Sequence, residues 1–166
     1  MSEAGAAAAG HGETVVIDTT GVGRFQAEAR VGSASFVIDE PVSAGGLGTG
    51  PNPFDLLSAA LGACTAMTVR LYAERKGWPL QHVRVRATHH RGALQARDRF
   101  SLEIGLEGDL DEARRARLMD IAARCPVHLS LERGADVSAT LLADQPDEAS
   151  RAGGEHMKTM EEACSS

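Results

Sequence analysis

Short runs of β-type residues open the patterned part of the chain, over 14–17, over 24–30 after the turn Gly21-Val22-Gly23, and over 35–38. Residues 41–53 (PVSAGGLGTGPNP) hold four glycines and three prolines and read as a loop. The spacing then predicts a helix: Asn52 can cap, Pro53 suits the first helical position, Asp55 falls at the third, and Gly77 and Pro79 stop it about six turns later. Between Leu56 and Val69 this helix carries no charge on any face, so it is expected to be enclosed by protein. Its polar positions are small, Ser58, Gly62, Thr65 and Thr68, a stripe suited to a closely packed second helix, another in the chain or that of its own copy.

A hairpin follows. Val83, Val85 and Ala87 alternate with Arg84, Arg86 and Thr88, and Phe100, Leu102, Ile104 and Leu106 alternate with polar residues, giving one apolar face and one of Arg against Glu. Asp109 or Asp111 starts a second helix whose Leu118, Ile121, Ala122 and Cys125 share an apolar side. Pro126 ends that helix or begins a short one, and 135–142 reads as a last strand. This divides the chain into a flexible leader (1–12), a folded domain (13–143) and a mobile tail (144–166).

Charge sharpens that division. The 166 residues carry a formal net charge of −6. Residues 144–166 account for −4 of it, which leaves the folded body nearly neutral. With no large basic surface and six aromatic residues in all, a nucleic-acid partner is not expected. No uninterrupted run of 18 apolar residues is present, so no membrane partner is expected either. Three widely spaced cysteines and an N-terminus without a basic, apolar leader indicate a cytoplasmic protein with reduced thiols.

The candidate chemistry lies in those cysteines. Cys64 sits about three turns into the charge-free helix, where its ordinary reading is a small core residue. To act as a thiolate it needs a cation from another segment, because the helix N-terminus is too distant. Cys125 either closes the second helix, a poor place for a thiolate, or caps the helix beginning at Pro126, a better one. Two thiols on apolar helix faces can meet in one core and serve as a peroxidatic and resolving pair. Cys164, in the acidic tail, looks incidental. His89 and His90 face opposite sides of a strand, and Cys125 with His128 supplies two metal ligands without a second pair, so no metal site is expected. The glycine-rich loop lacks the Lys-Ser/Thr of a phosphate loop.

Gly45-Gly46-Leu47-Gly48-Thr49-Gly50-Pro51-Asn52-Pro53-Phe54-Asp55-Leu56-Leu57, Leu61-Gly62-Ala63-Cys64-Thr65-Ala66-Met67-Thr68, the run from Tyr72 through Gly77-Trp78-Pro79-Leu80, and Arg124-Cys125-Pro126-Val127-His128 together resemble the OsmC/Ohr family of osmotically inducible and organic-hydroperoxide-resistance proteins. The resemblance implies an α+β fold of curved antiparallel sheets around long central helices, in an intertwined homodimer. It implies a thiol peroxidase in which Cys64 attacks an organic hydroperoxide and Cys125 closes a disulfide, with no bound cofactor. An external dithiol donor such as a lipoyl group would reopen that disulfide. It also implies a catalytic arginine upstream of the loop, for which Arg24 is the best positional match and Arg30 the second. The family's reductases carry a glutamate ten residues before the nucleophile; here that residue is Phe54. Asp55, next to it, falls on the helix side opposite Cys64 and is expected to serve the helix start rather than the arginine. The rival expectation is a binding or stress protein on the same fold, with an apolar ligand pocket and weak or no peroxidase activity.

Overall fold

Helix α1 (Pro53–Arg75) starts at the proline that suits a first helical turn and ends on Gly77, whose φ of 62° allows the left-handed turn. The amides of Gly77 and Trp78 return to the carbonyls of Glu74 and Ala73 at 3.0 and 2.9 Å. The computed structural model describes residues 14–93, 96–142 and 155–165. The leader 1–12 and residues 144–154 of the tail lie outside the described residues.

The described chain forms two units. The N-terminal one is a three-stranded antiparallel sheet in sequential order, β1 (Val16–Thr19), β2 (Ala27–Val31) and β3 (Ala34–Ile38). The run expected over 24–30 begins as a turn and becomes a strand only at Ala27, because Gly21 and Gly23, at φ of 74° and 65°, extend the reversal. Its loop is organised by Asp39, which is buried. One carboxylate oxygen accepts from the Glu40 amide at 2.8 Å. The other accepts from the amides of Leu47 and Thr49 and from the Thr49 hydroxyl at 3.0, 3.2 and 2.9 Å.

The second unit holds α1, β4 (Leu80–His90), β5 (Arg99–Gly108), α2 (Glu112–Ala122), α3 (Pro126–Arg133) and α4 (Glu155–Ala163), the last entering from His156. β4 and β5 pair antiparallel with Val83 opposite Leu106, Val85 opposite Ile104 and Ala87 opposite Leu102, which puts the apolar residues on one face as the alternation predicts. α1 packs against β4, α2 and α3. Asp111 is the cap of α2, accepting from the Arg114 amide at 2.7 Å. Arg115 fastens that helix to the end of β5, donating to the carbonyls of Leu106, Gly108 and Leu110.

Several expectations change. By length and mean hydropathy α1 is sufficient to cross a bilayer, although it holds no uninterrupted run of 18 apolar residues. It is instead packed on one side, enclosing Thr65 and Thr68, as a core helix is. Its charge-free surface is only half covered within this chain, with Leu57 and Met67 41% and 52% exposed. Its small residues divide: Gly62 faces Val85 and Ala87 of β4, while Thr65 and Thr68 lie toward Cys125 and Cys164. Residues 135–142, expected as a strand, follow an irregular, exposed course with no strand among the described residues paired to them. Part of the tail expected to be mobile is α4, which with the residue after it buries Met160 and Cys164, one helical turn apart, while Lys158, Glu161 and Glu162 face water.

Candidate active site

Cys64 and Cys125 come together. α1 presents Cys64 from mid-helix, 2% exposed, and Cys125, fully buried, reaches it from the junction of α2 and α3. The junction decides the question left open by the sequence: α2 ends at Ala122, and Cys125 is the N-cap of α3, followed by Pro126 at the first helical position. The Cys125 sulfur accepts from the His128 amide at 3.5 Å, as a capping serine oxygen would.

The two thiols titrate as a pair. The Cys64 S–H donating to Cys125 stabilises the Cys125 thiolate. The amides of His128 and Val127 and the Thr65 hydroxyl add to this, and together they outweigh burial and bring Cys125 down to about 6 from an ordinary 9.0. Cys64 moves the opposite way, because ionising it would sacrifice that hydrogen bond and place a second charge in a buried site. The pair is thus built to hold one negative charge and one shared proton. No arginine is needed to create that charge, which changes the requirement drawn from the sequence. Thr65 and Thr68, both fully buried, donate to the carbonyls of Leu61 and Cys64 at 2.8 Å and keep their hydroxyls beside the sulfurs.

Around the pair lies an apolar cluster of Leu61, Leu71, Phe100, Leu102, Val127, Leu131 and Met160. Leu61, Phe100, Leu102 and Leu131 also line a cavity of about 440 Å³. Arg97, Arg99, Asp98, Glu132 and His128 complete its lining, two arginines against two carboxylates. Such a cavity suits an apolar molecule with little net charge.

The other sequence-selected residues distribute as follows. Arg24 lies in the exposed turn before β2, its guanidinium 5.2 Å from the Phe25 ring centroid, and Arg30 pairs with Asp18 at 2.7 Å. Both belong to the N-terminal unit. Asp55 sits in the first turn of α1. Phe54 stacks on His89 with ring centroids 4.4 Å apart and planes 4° from parallel, and the Arg91 guanidinium carbon lies 4.9 Å from the Phe54 ring centroid. His89 in turn meets Phe100 at 4.8 Å and Asp98 at 3.1 Å. The position where the family's reductases carry glutamate is therefore occupied by an aromatic stack reaching the cavity wall. His128 contributes its backbone amide to Cys125 and lines the cavity. Among the described residues, no group of three or more His, Cys, Asp or Glu converges as metal ligands do.

A family model described as OsmC-like protein matches residues 46–140, more than half of the chain, and spans α1, both cysteines and the hairpin. The chain belongs to the OsmC family. None of the curated proteins matches it. Solved structures of the family share its mixed α+β fold at low identity. An OsmC-like protein from Mycoplasma pneumoniae is 18% identical with a TM-score of 0.64, covering 74% of this chain and 88% of its own. An organic hydroperoxide resistance protein OsmC from Legionella pneumophila is 20% identical with a TM-score of 0.56, covering 71% and 88%. The organic hydroperoxide resistance protein OhrB of Bacillus subtilis is 20% identical with a TM-score of 0.51, covering 70% and 87%. α4 lies beyond the segment that the family model matches.

Proposed function

We propose that this OsmC-family protein is a cytoplasmic, thiol-dependent peroxidase that reduces organic hydroperoxides through the Cys64–Cys125 pair. The observation that carries the reading is the pair of buried cysteines brought into one apolar cluster beside a largely apolar cavity. The proton of Cys64 passes along the S–H···S hydrogen bond to Cys125, leaving the charge on Cys64. That thiolate attacks the distal oxygen of ROOH. An S–O bond forms, the O–O bond breaks, and the departing alkoxide takes a proton from solvent to leave as ROH. Cys125 then attacks the Cys64 sulfenic acid: the S–S bond forms, the S–O bond breaks, and hydroxide leaves as water with the Cys125 proton. An external dithiol of the lipoyl type returns both cysteines to thiols and is itself oxidised to a disulfide.

Arg24 is the cation assigned to the peroxide oxygens, since Arg30 is engaged by Asp18. An apolar cavity with a balanced mouth favours small apolar hydroperoxides over hydrogen peroxide. The working form is a homodimer: a second copy would cover the Leu57 and Met67 face of α1 and give residues 135–142, with Val137 91% exposed, a strand to pair with.

A second reading is favoured by Phe54: a stress-related ligand-binding protein whose cavity holds an apolar molecule and whose peroxidase activity is weak. Consumption of cumene hydroperoxide by the reduced protein with dihydrolipoamide separates the two. The peroxidase reading expects turnover that Cys64→Ser abolishes; turnover no faster than that variant supports the binding protein.

A further inference from the structure

We infer that α4 is a built-in cap on the Cys64–Cys125 pair, with Met160 as its stopper, so that the C-terminal segment regulates access to the dithiol. The inference rests on the peroxidase reading for its purpose. Cys64 and Cys125 are 2% and 0% exposed, so any hydroperoxide or reductant needs part of their surroundings to move. Most of those surroundings are fixed in the matched domain: Leu61 and Leu71 on α1, Phe100 and Leu102 on the paired strand β5, and Val127 and Leu131 on α3, whose cap is Cys125 itself.

Met160 is different. It joins the same cluster, 1% exposed, from a helix that lies beyond the family segment. α4 also meets the domain through solvent-exposed polar contacts. Arg75 donates to the Glu161 carbonyl at 3.1 Å and lies 3.7 Å from its carboxylate, with side chains 38% and 55% exposed, a pair that water screens. Nearer the end, the Cys164 thiol donates to the Thr68 carbonyl at 3.6 Å, one turn along α1 from Cys64. With two buried side chains, Met160 and Cys164, and an otherwise exposed polar contact, α4 is the element whose release uncovers the dithiol at least cost to the rest of the unit. Burying one methionine side chain favours the capped state by roughly 10- to 100-fold.

The test is alkylation of the reduced full-length protein by iodoacetamide, followed at Cys64 and Cys125 by peptide mass spectrometry. Met160→Asp is expected to raise the alkylation rate of the pair by roughly 10- to 100-fold. Arg75→Ala should raise it less, and Met160→Leu should leave it near wild type. Amide exchange of the Met160→Asp protein is expected to speed up in α4 while α1, β4 and β5 stay protected. An unchanged alkylation rate overturns the inference, as does loss of protection throughout the unit, which would make Met160 a core residue and not a stopper. Alkylation reads access and not turnover, so failure of the peroxidase reading would show instead as no hydroperoxide consumption by either the wild type or an accelerated Met160→Asp protein.

Discussion

Removing the Cys64 thiol should disarm Cys125 even though Cys125 remains in place. The Cys64 S–H is the largest influence lowering Cys125, ahead of the amides of His128 and Val127, while burial opposes all of them. At about 6, against an ordinary 9.0, Cys125 is almost wholly thiolate near neutral pH. At pH 7.4 the two values correspond to thiolate fractions that differ by roughly 40-fold. Cys64→Ala withdraws the donor and leaves burial in place, so the Cys125 titration should move up toward 9.0. Thiolate absorbance near 240 nm, followed against pH with Cys164 replaced by serine in every sample, reads this directly. The wild type should show one ionisation near 6 and a second one far above the ordinary value, whereas Cys64→Ala should show a single raised one. The same shift enters stability. A thiol with a depressed folded value stabilises most above its unfolded value, and that contribution is lost as pH falls from 9.0 through about 6. A wild-type pair whose first ionisation lies near 9, unmoved by Cys64→Ala, would refute the shared-proton account.

Other consequences follow from single side chains. Phe54→Glu removes the stack on His89 and should cost about 1 kcal/mol in chemical denaturation. If a carboxylate there orients Arg24, the same variant should raise kcat/KM for cumene hydroperoxide about tenfold, the scale of one hydrogen bond between charged groups. Asp39→Asn should loosen the glycine-rich loop. Burial works to raise the Asp39 pKa, but the Thr49 hydroxyl and the amides of Thr49, Glu40 and Leu47 hold it below its ordinary 3.8. Its contribution is therefore present above 3.8 and lost as pH falls through the lowered value, an acid limb that thermal unfolding should find in the wild type and not in Asp39→Asn. Met67→Lys places a charge on the uncovered face of α1 and should leave a folded monomer by light scattering where the wild type is expected to be a dimer.

Local patterns carried much of the fold. The two faces of the hairpin followed from strict alternation, and α1 from Pro53 and Gly77, because these signals depend on neighbours in sequence. Asp109 and Asp111 offered equivalent starts for α2, and only the folded chain shows which carboxylate meets the Arg114 amide. The place of Cys125 was ambiguous for the same reason: a cysteine before proline can end one helix or cap the next, and here it does the second. Residues 135–142 have β-type composition, yet a strand needs a partner, and none of the described strands supplies one. α4 escaped notice because its apolar side is just Met160, Ala163 and Cys164, too short a period to stand out from an acidic background. Asp39 was missed as well, although an aspartate at the start of a glycine-rich loop, ten residues before a threonine, is a usable signal for a carboxylate that gathers loop amides. The pairing of Cys64 with Cys125 was legible as a possibility, but the direction of the shared proton depends on α3 amides that sequence does not place.

The account's central claim is that Cys64 and Cys125 act as one redox unit. The most direct test adds one equivalent of cumene hydroperoxide to the reduced protein and maps the cysteines by mass spectrometry, with and without Cys125→Ser. The wild type should lose two thiols per hydroperoxide, form a Cys64–Cys125 disulfide and keep Cys164 reduced, while Cys125→Ser should stop at a Cys64 sulfenic acid that dimedone traps. Recovery of both thiols unoxidised, or a disulfide that joins either one to Cys164 instead, would contradict it.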